Sequence, residues 1–298
     1  VSKERNYPTS YRKMQIGIIG IGLIGGSIAK DLYNQIGIEV IGYDTSPSHC
    51  ETALHLQLVH RIESIEYITE KCETIIIAVP VDIIANILPL ILDKISDKQL
   101  VLDVGSTKQK ICAKVKAHPR RNRYVAAHPL AGTEFSGPEA AISGLFRNKK
   151  NIICERALSA KDAVDLSLKI FQSLGMHTYF LGPQEHDKHL AYVSHLSHVS
   201  SFMLGLTVLD LEKDEKQIFN LASTGLTSTV RLAKSSPKTW SAIFENNSEY
   251  VEEALENYIS HLENFLQLLK QKDTKASYQL MEEANDIKRV LNGIVAEK

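Results

Sequence analysis

A glycine-rich turn between a buried strand and an amphipathic helix constrains this chain more than any other feature. Residues 14–20 (MQIGIIG) form a short apolar run of the kind that makes a strand buried on both faces. Residues 21–36 follow with helical spacing, Ile24, Ile28 and Leu32 falling on one face. Across the junction, Gly20-Ile21-Gly22-Leu23-Ile24-Gly25 spells GxGxxG. Residues 39–43 (EVIGY) then read as a second strand that stops at Asp44. The whole is a βαβ unit of roughly 30 residues. In that setting Gly20 permits the tight turn, Gly22 lets backbone approach a pyrophosphate, and Gly25 allows close helix–strand packing. The helix start, at Leu23 and Ile24, offers free N–H groups and a positive dipole end. Asp44 suits the two adenosine ribose hydroxyls and repels a 2′-phosphate, and Thr45-Ser46-Pro47 brings no arginine to rescue one. The unit predicts a dinucleotide cofactor, NAD in preference to NADP.

The alternation continues. Residues 74–79, 100–104, 124–127, 151–154 and 177–181 read as strands, with helices predicted over 81–92, 108–116 and 160–174. After Gly182-Pro183 no strand is expected; 187–211, 238–270 and 275–295 read as helices, the second opening on Ser236-Pro237. The fold class is therefore α/β, a doubly wound Rossmann-type sheet followed by an all-helical C-terminal domain. A chain of 298 residues has room for both. The expected parts are an N-terminal tail (1–13), a cofactor domain (14–182) and a helical substrate-binding and dimerisation domain (183–298).

A formal net charge of -1 gives no global field to attract nucleic acid or a membrane surface, and neither is an expected partner. No apolar run reaches the roughly 18 residues of a membrane span, and the polar N-terminus lacks a signal sequence. Four scattered cysteines, Cys50, Cys72, Cys112 and Cys154, fit a reducing cytoplasm.

Ligands of open α/β sheets bind at the carboxyl ends of strands, which places Val79-Pro80 and Gly105-Ser106 on the cofactor crevice. His128 lies just past another strand end and is a candidate base for an alcohol losing its proton. Ser106 could orient its imidazole. A second cluster is His186-Asp187 followed by Ser194-His195-Leu196-Ser197-His198, in which Ser194 and His198 are one helical turn apart. Histidines spaced like 195 and 198 also suit zinc, but no third ligand stands out, so no metal is expected. Arg231, in a Gly/Ser/Thr-rich stretch, suits bidentate carboxylate recognition, with Lys234 a less specific rival. Trp240 is the lone tryptophan.

Taken in order, GIIGIGLIGGSIA (17–29), DVGSTK (103–108), HPLAGTEFSG (128–137), HDKHLAYVSHLSH (186–198) and TVRLAKSSPKTW (229–240) resemble the prephenate dehydrogenase (TyrA) family, over residues 14 to about 270. The resemblance implies NAD-dependent oxidative decarboxylation of prephenate to 4-hydroxyphenylpyruvate in tyrosine biosynthesis. His128 matches the catalytic histidine and Ser106 the serine that orients it. Ser194, His195 and His198 match the substrate-facing helix, and Arg231 the arginine that holds a carboxylate. Thr133, Glu134 and Trp240 match pocket or gate residues. Ser197 replaces a proline more common in the family, and Ser228 stands where some members carry an acid. The resemblance also implies a homodimer, built on stripes such as Ile259, Leu262, Leu266 and Leu269. The tail after residue 270 is too short and too helical for a regulatory ACT domain, so any inhibition by tyrosine would have to act at the substrate pocket itself. Arogenate dehydrogenase is the nearest alternative, and a β-hydroxyacid dehydrogenase type the next.

Overall fold

The structure, a computed structural model, describes residues 13–212 and 224–296; most of the expected N-terminal tail lies outside them. The opening unit forms as its sequence dictates: β1 (Met14–Ile19), α1 (Leu23–Tyr33) and β2 (Ile38–Tyr43). Three short elements then appear that apolar spacing does not announce: α2 (Pro47–His55), β3 (Arg61–Ile62) and α3 (Ile65–Lys71). Their signals are end signals. Ser46 and Ser64 accept hydrogen bonds from the backbone N–H groups of His49 and Tyr67, and Pro47 opens α2. At nine and seven residues these helices are too short to show a stripe.

The chain continues through β4 (Thr74–Ile77), α4 (Val81–Lys94), β5 (Leu100–Asp103), α5 (Gln109–Val115), β6 (Tyr124–Pro129), β7 (Lys150–Cys154), α6 (Lys161–Ser173) and β8 (His177–Leu181). The eight strands form one sheet in the order β3-β2-β1-β4-β5-β6-β7-β8. Every pair is parallel except β6–β7, where His128 stands opposite Ile152. Strand order reverses between β1 and β4, which makes the carboxyl ends of those strands the natural ligand crevice. Successive isoleucines of the central strands serve opposite layers: Ile76 packs into one core and Ile75 and Ile77 into the other. That two-sided burial explains the unbroken apolar runs.

From Pro183 onward every described element is helical. The helix predicted over 187–211 starts earlier and is not uniform: α7 (Pro183–Leu190) passes through a π-helical turn at Ala191–His195 into α8 (Leu196–Glu212). After α9 (Thr224–Thr229), the single helix expected over 238–270 is two, α10 (Pro237–Asn246) and α11 (Ser248–Gln271). The break falls at Asn247, with φ −116° and ψ 27°. The helix expected over 275–295 is likewise split into α12 (Thr274–Ala284) and α13 (Ile287–Ala296). All four cysteines are free.

The first turn depends on two glycines for steric reasons. A Cβ on Gly25 would lie 2.0 Å from the carbonyl oxygen of Gly20, whereas one on Gly22 meets nothing within 4 Å. Gly25→Ala is therefore expected to cost about 1–3 kcal/mol of stability, the usual size of an overpacking clash. Gly22→Ala should melt with the unaltered protein; thermal unfolding of both variants checks the pair.

Candidate active site

Gly20 takes φ +93°, and a Cβ there would meet the Ala78 carbonyl oxygen at 2.6 Å. Gly20 and Gly25 thus lie beneath the turn, and Gly22 alone presents bare backbone outward. It caps α1 with no side-chain hydrogen bond, which leaves the helix N–H groups to a ligand. In front lies a cavity of about 310 Å³, lined by Gly22, Leu23, Ile24, Val79, Pro80 and Ser106 among others. This open backbone and the uncapped helix start fit a dinucleotide pyrophosphate. Asp44 and Thr45 sit at the end of β2, outside that cavity lining. The Asp44 carboxylate accepts from the N–H groups of Ile21 and Ser46, both at 2.9 Å, and lies 3.3 Å from His49 Nδ1. It ties the second strand to the glycine turn.

A second cavity, of about 570 Å³, adjoins the first; Ser106, Gly132, Thr133 and Trp240 line both. His128, Ser194, His195, His198 and Arg231 line the second. Glu134 is on the first. The chain thus gathers its candidate substrate residues from four separate sequence motifs around one space.

His128 is only 8% exposed. Its Nδ1 lies 2.8 Å from His186 Nε2, and His186 Nδ1 lies 2.7 Å from Asp187 Oδ1. This differs from the expectation that Ser106 orients the ring by hydrogen bonding; the partner of Nδ1 is His186. The proton positions follow from chemistry. A carboxylate only accepts, so His186 donates from Nδ1 and, being neutral, accepts at Nε2. His128 therefore donates from Nδ1 and keeps its lone pair on Nε2. Burial pushes the His128 pKa well below that of an ordinary imidazole, and nearby His186, Lys108 and His195 push the same way. Burial also lowers that of His186, against the pull of Asp187. Neither His186 nor Asp187 carries a local signal of this role, because the contact joins residues 58 apart in sequence.

The loop bearing Ser106 is clamped from below. Lys108 and Asp103, both fully buried, form an ion pair, and Asp103 also accepts from Tyr124 Oη at 2.6 Å and the Gly105 N–H at 2.9 Å. On the far side of the pocket, His198 Nδ1 donates to the Ser194 carbonyl oxygen at 3.0 Å, and its ring stacks on Trp240 with centroids 3.4 Å apart. Arg231 pairs with Glu134 at 3.1 Å, half exposed at the cavity mouth. A backbone hydrogen bond at Glu134 itself, and then Arg231, hold its carboxyl below the usual carboxylate range. Among the described residues no cluster of three metal-ligating side chains occurs.

The geometry agrees with comparisons to known proteins. The family model for the prephenate dehydrogenase nucleotide-binding domain matches residues 28–180, and that for the prephenate dehydrogenase dimerization domain matches 182–283. Prephenate dehydrogenase from Bacillus subtilis is 30% identical over 278 residues, covering 92% of this chain and 75% of that one. A crystal structure of prephenate dehydrogenase from Aquifex aeolicus, in complex with hydroxyphenyl propionate and NAD+, superposes with a TM-score of 0.82 at 27% identity, covering 95% of this chain and 99% of that one. The structure of Synechocystis arogenate dehydrogenase gives 0.73 at 26% identity, with 93% and 100% covered. With both of its domains matched in order and the site residues gathered on one cleft, this chain belongs to the prephenate dehydrogenase family.

Proposed function

We propose that this cleft carries out the NAD-dependent oxidative decarboxylation of prephenate to 4-hydroxyphenylpyruvate. The observation that carries the reading is His128: a buried, neutral imidazole beside the junction of two cavities, with its lone pair directed away from His186. NAD, when bound, supplies the hydride acceptor. His128 Nε2 takes the proton of the C4 hydroxyl as the hydride departs. It returns that proton to the oxygen when the bond to the ring carboxylate breaks, its electron pair aromatises the ring, and CO₂ leaves. Ser106, on both cavities, stands between base and cofactor. Arg231 offers a fork of donors to a substrate carboxylate, which competes for it with Glu134. Thr133 and Trp240 close the space between the two cavities. Gly20, Gly22, Leu23, Ile24, Gly25, Asp44, Thr45, Val79 and Pro80 form the cofactor side. The domain boundary is placed near residue 182, where the last strand ends.

Arogenate is the second reading, favoured by the likeness to the Synechocystis enzyme. Tyrosine, an aromatic carboxylate like the product, would inhibit by entering the same pocket. Free cysteines suit a cytoplasmic enzyme. A homodimer is supported by apolar side chains left exposed on α8 and α11, Leu206 and Leu209 beside the stripe Ile259, Leu262, Leu266 and Leu269.

Prephenate with NAD should give NADH and CO₂, with a higher kcat/KM than arogenate; a clear preference for arogenate reverses the substrate assignment. His128→Asn should lower kcat by roughly 10²–10⁴-fold, and near-normal turnover removes His128 from the mechanism. Because the neutral imidazole is the active form and its pKa is depressed, the acid limb of kcat/KM should fall below about pH 6.5. A limb at or above that value contradicts the buried-base reading. Light scattering at micromolar concentration should find twice the chain mass, and Leu266→Asp should shift it toward monomer.

A further inference from the structure

Of the histidines lining the substrate cavity, His195 is the most deeply buried, at 1% exposure. Its ring is held by a residue that no motif marks. Asn247 stands at the break between α10 and α11, itself 3% exposed. Its side-chain Nδ2 lies 2.8 Å from the backbone carbonyl oxygen of Asp187 and 3.0 Å from His195 Nδ1.

The direction of these bonds is forced. A backbone carbonyl oxygen only accepts, so the amide must turn its nitrogen, not its oxygen, toward Asp187. That nitrogen carries two hydrogens, and the second faces His195 Nδ1. An imidazole nitrogen that accepts carries no proton, so the ring proton is on Nε2. The carbonyl can neither titrate nor flip, and it therefore fixes the amide, which fixes the imidazole. We propose that Asn247 is a positioning residue that locks His195 as the neutral Nε2–H tautomer, giving the substrate cavity an uncharged hydrogen-bond donor for a substrate oxygen.

The surroundings keep that donor neutral. Burial above all, opposed by Asp187 and aided by His186 and His198, pushes the His195 pKa down to about 4. A neutral donor also suits the chemistry assigned above, on which this role in binding rests. The substrate loses a carboxylate as CO₂, and a further fixed cation beside it would stabilise reactant over transition state. Arg231 and Lys149 already bring positive charge to the lining of that cavity.

Long-range ¹H–¹⁵N spectra of the full chain labelled with ¹⁵N-histidine read the tautomer directly, with His195 assigned by the signal missing in His195→Asn. The unaltered protein should show His195 protonated on Nε2 alone. Asn247→Ala should release the ring to a mixture of tautomers. It should raise KM for prephenate by roughly 3–10-fold, the weight of one neutral hydrogen bond, with kcat within about two-fold. Asn247→Asp replaces the donor by an acceptor. It should move the His195 titration midpoint up from about 4 by at least about one pH unit and make KM depend on pH between about 4.5 and 6. An Nδ1–H tautomer in the unaltered protein, or an unchanged tautomer and midpoint in folded variants, overturns the assignment. An altered tautomer with unchanged KM overturns the role in binding. The first spectrum needs neither a variant nor a substrate. It therefore decides the tautomer even where a variant fails to fold or prephenate is not turned over.

Discussion

One buried carboxylate holds the cleft together. Asp187, 1% exposed, accepts the backbone N–H of Lys108 on Oδ1 and that of Gln109 on Oδ2, both at 2.8 Å. The same Oδ1 accepts from His186 Nδ1, and the backbone carbonyl of Asp187 accepts from Asn247. A carboxylate withdrawn from water is costly unless donors replace its hydration, and here three N–H donors do so. The two backbone donors open α5, so a negative charge from the helical part caps a helix of the sheet domain at its positive end. Ser106 lies just before that cap. Asp187 thus sets the proton on His128 through His186, bears on His195 through Asn247, and pins the loop that separates the two cavities.

A second buried pair completes the arrangement. Lys108 carries its backbone N–H to Asp187 and its ammonium to Asp103, so one residue joins both carboxylates. Asp103 in turn is bonded to Tyr124 and Gly105. Burial, and then the charge of Asp103, raise the Tyr124 pKa well above that of an ordinary phenol, which keeps its hydroxyl a donor. The Lys108 ammonium lies close enough to His128 and His186 to disfavour a further positive charge on either ring. Removing one member of such a set leaves a buried charge uncompensated, which is more damaging than the net worth of the pair. The geometry of His128 therefore depends on residues that line neither cavity.

What could be read from the residues in order was whatever local periodicity and end chemistry encode. GxGxxG announces its turn because the chain on either side has the right period, and the strand-end positions of Ser106 and His128 follow from counting apolar runs. The short elements α2, β3 and α3 escaped because they are stabilised by caps and edge pairing more than by an apolar face. The break at Asn247 escaped because helical spacing runs through it; only the inward turn of an asparagine to a carbonyl 60 residues away distinguishes it. His186 and Asp187 were visible as a motif and silent as to task. Their partners lie 58 and 79 residues distant, and pairing at that range is a property of the packed chain.

This changes where the chemistry resides. The strand order of the sheet suggests that the first domain holds both cofactor and base, leaving the helices to grip the substrate. Yet a histidine on a strand end is not by itself a base of defined tautomer; its ring can place the proton on either nitrogen. The choice at His128 is made by His186 on α7, and α7 stays in place because Asp187 reaches across to α5. Any motion that lifted α7 from the sheet would release the helix cap, the imidazole and the amide of Asn247 together. Docking of the helical part is thus what gives the strand-end histidine one orientation and one tautomer, and the proton inventory of the proposed catalytic centre is set where the two domains meet.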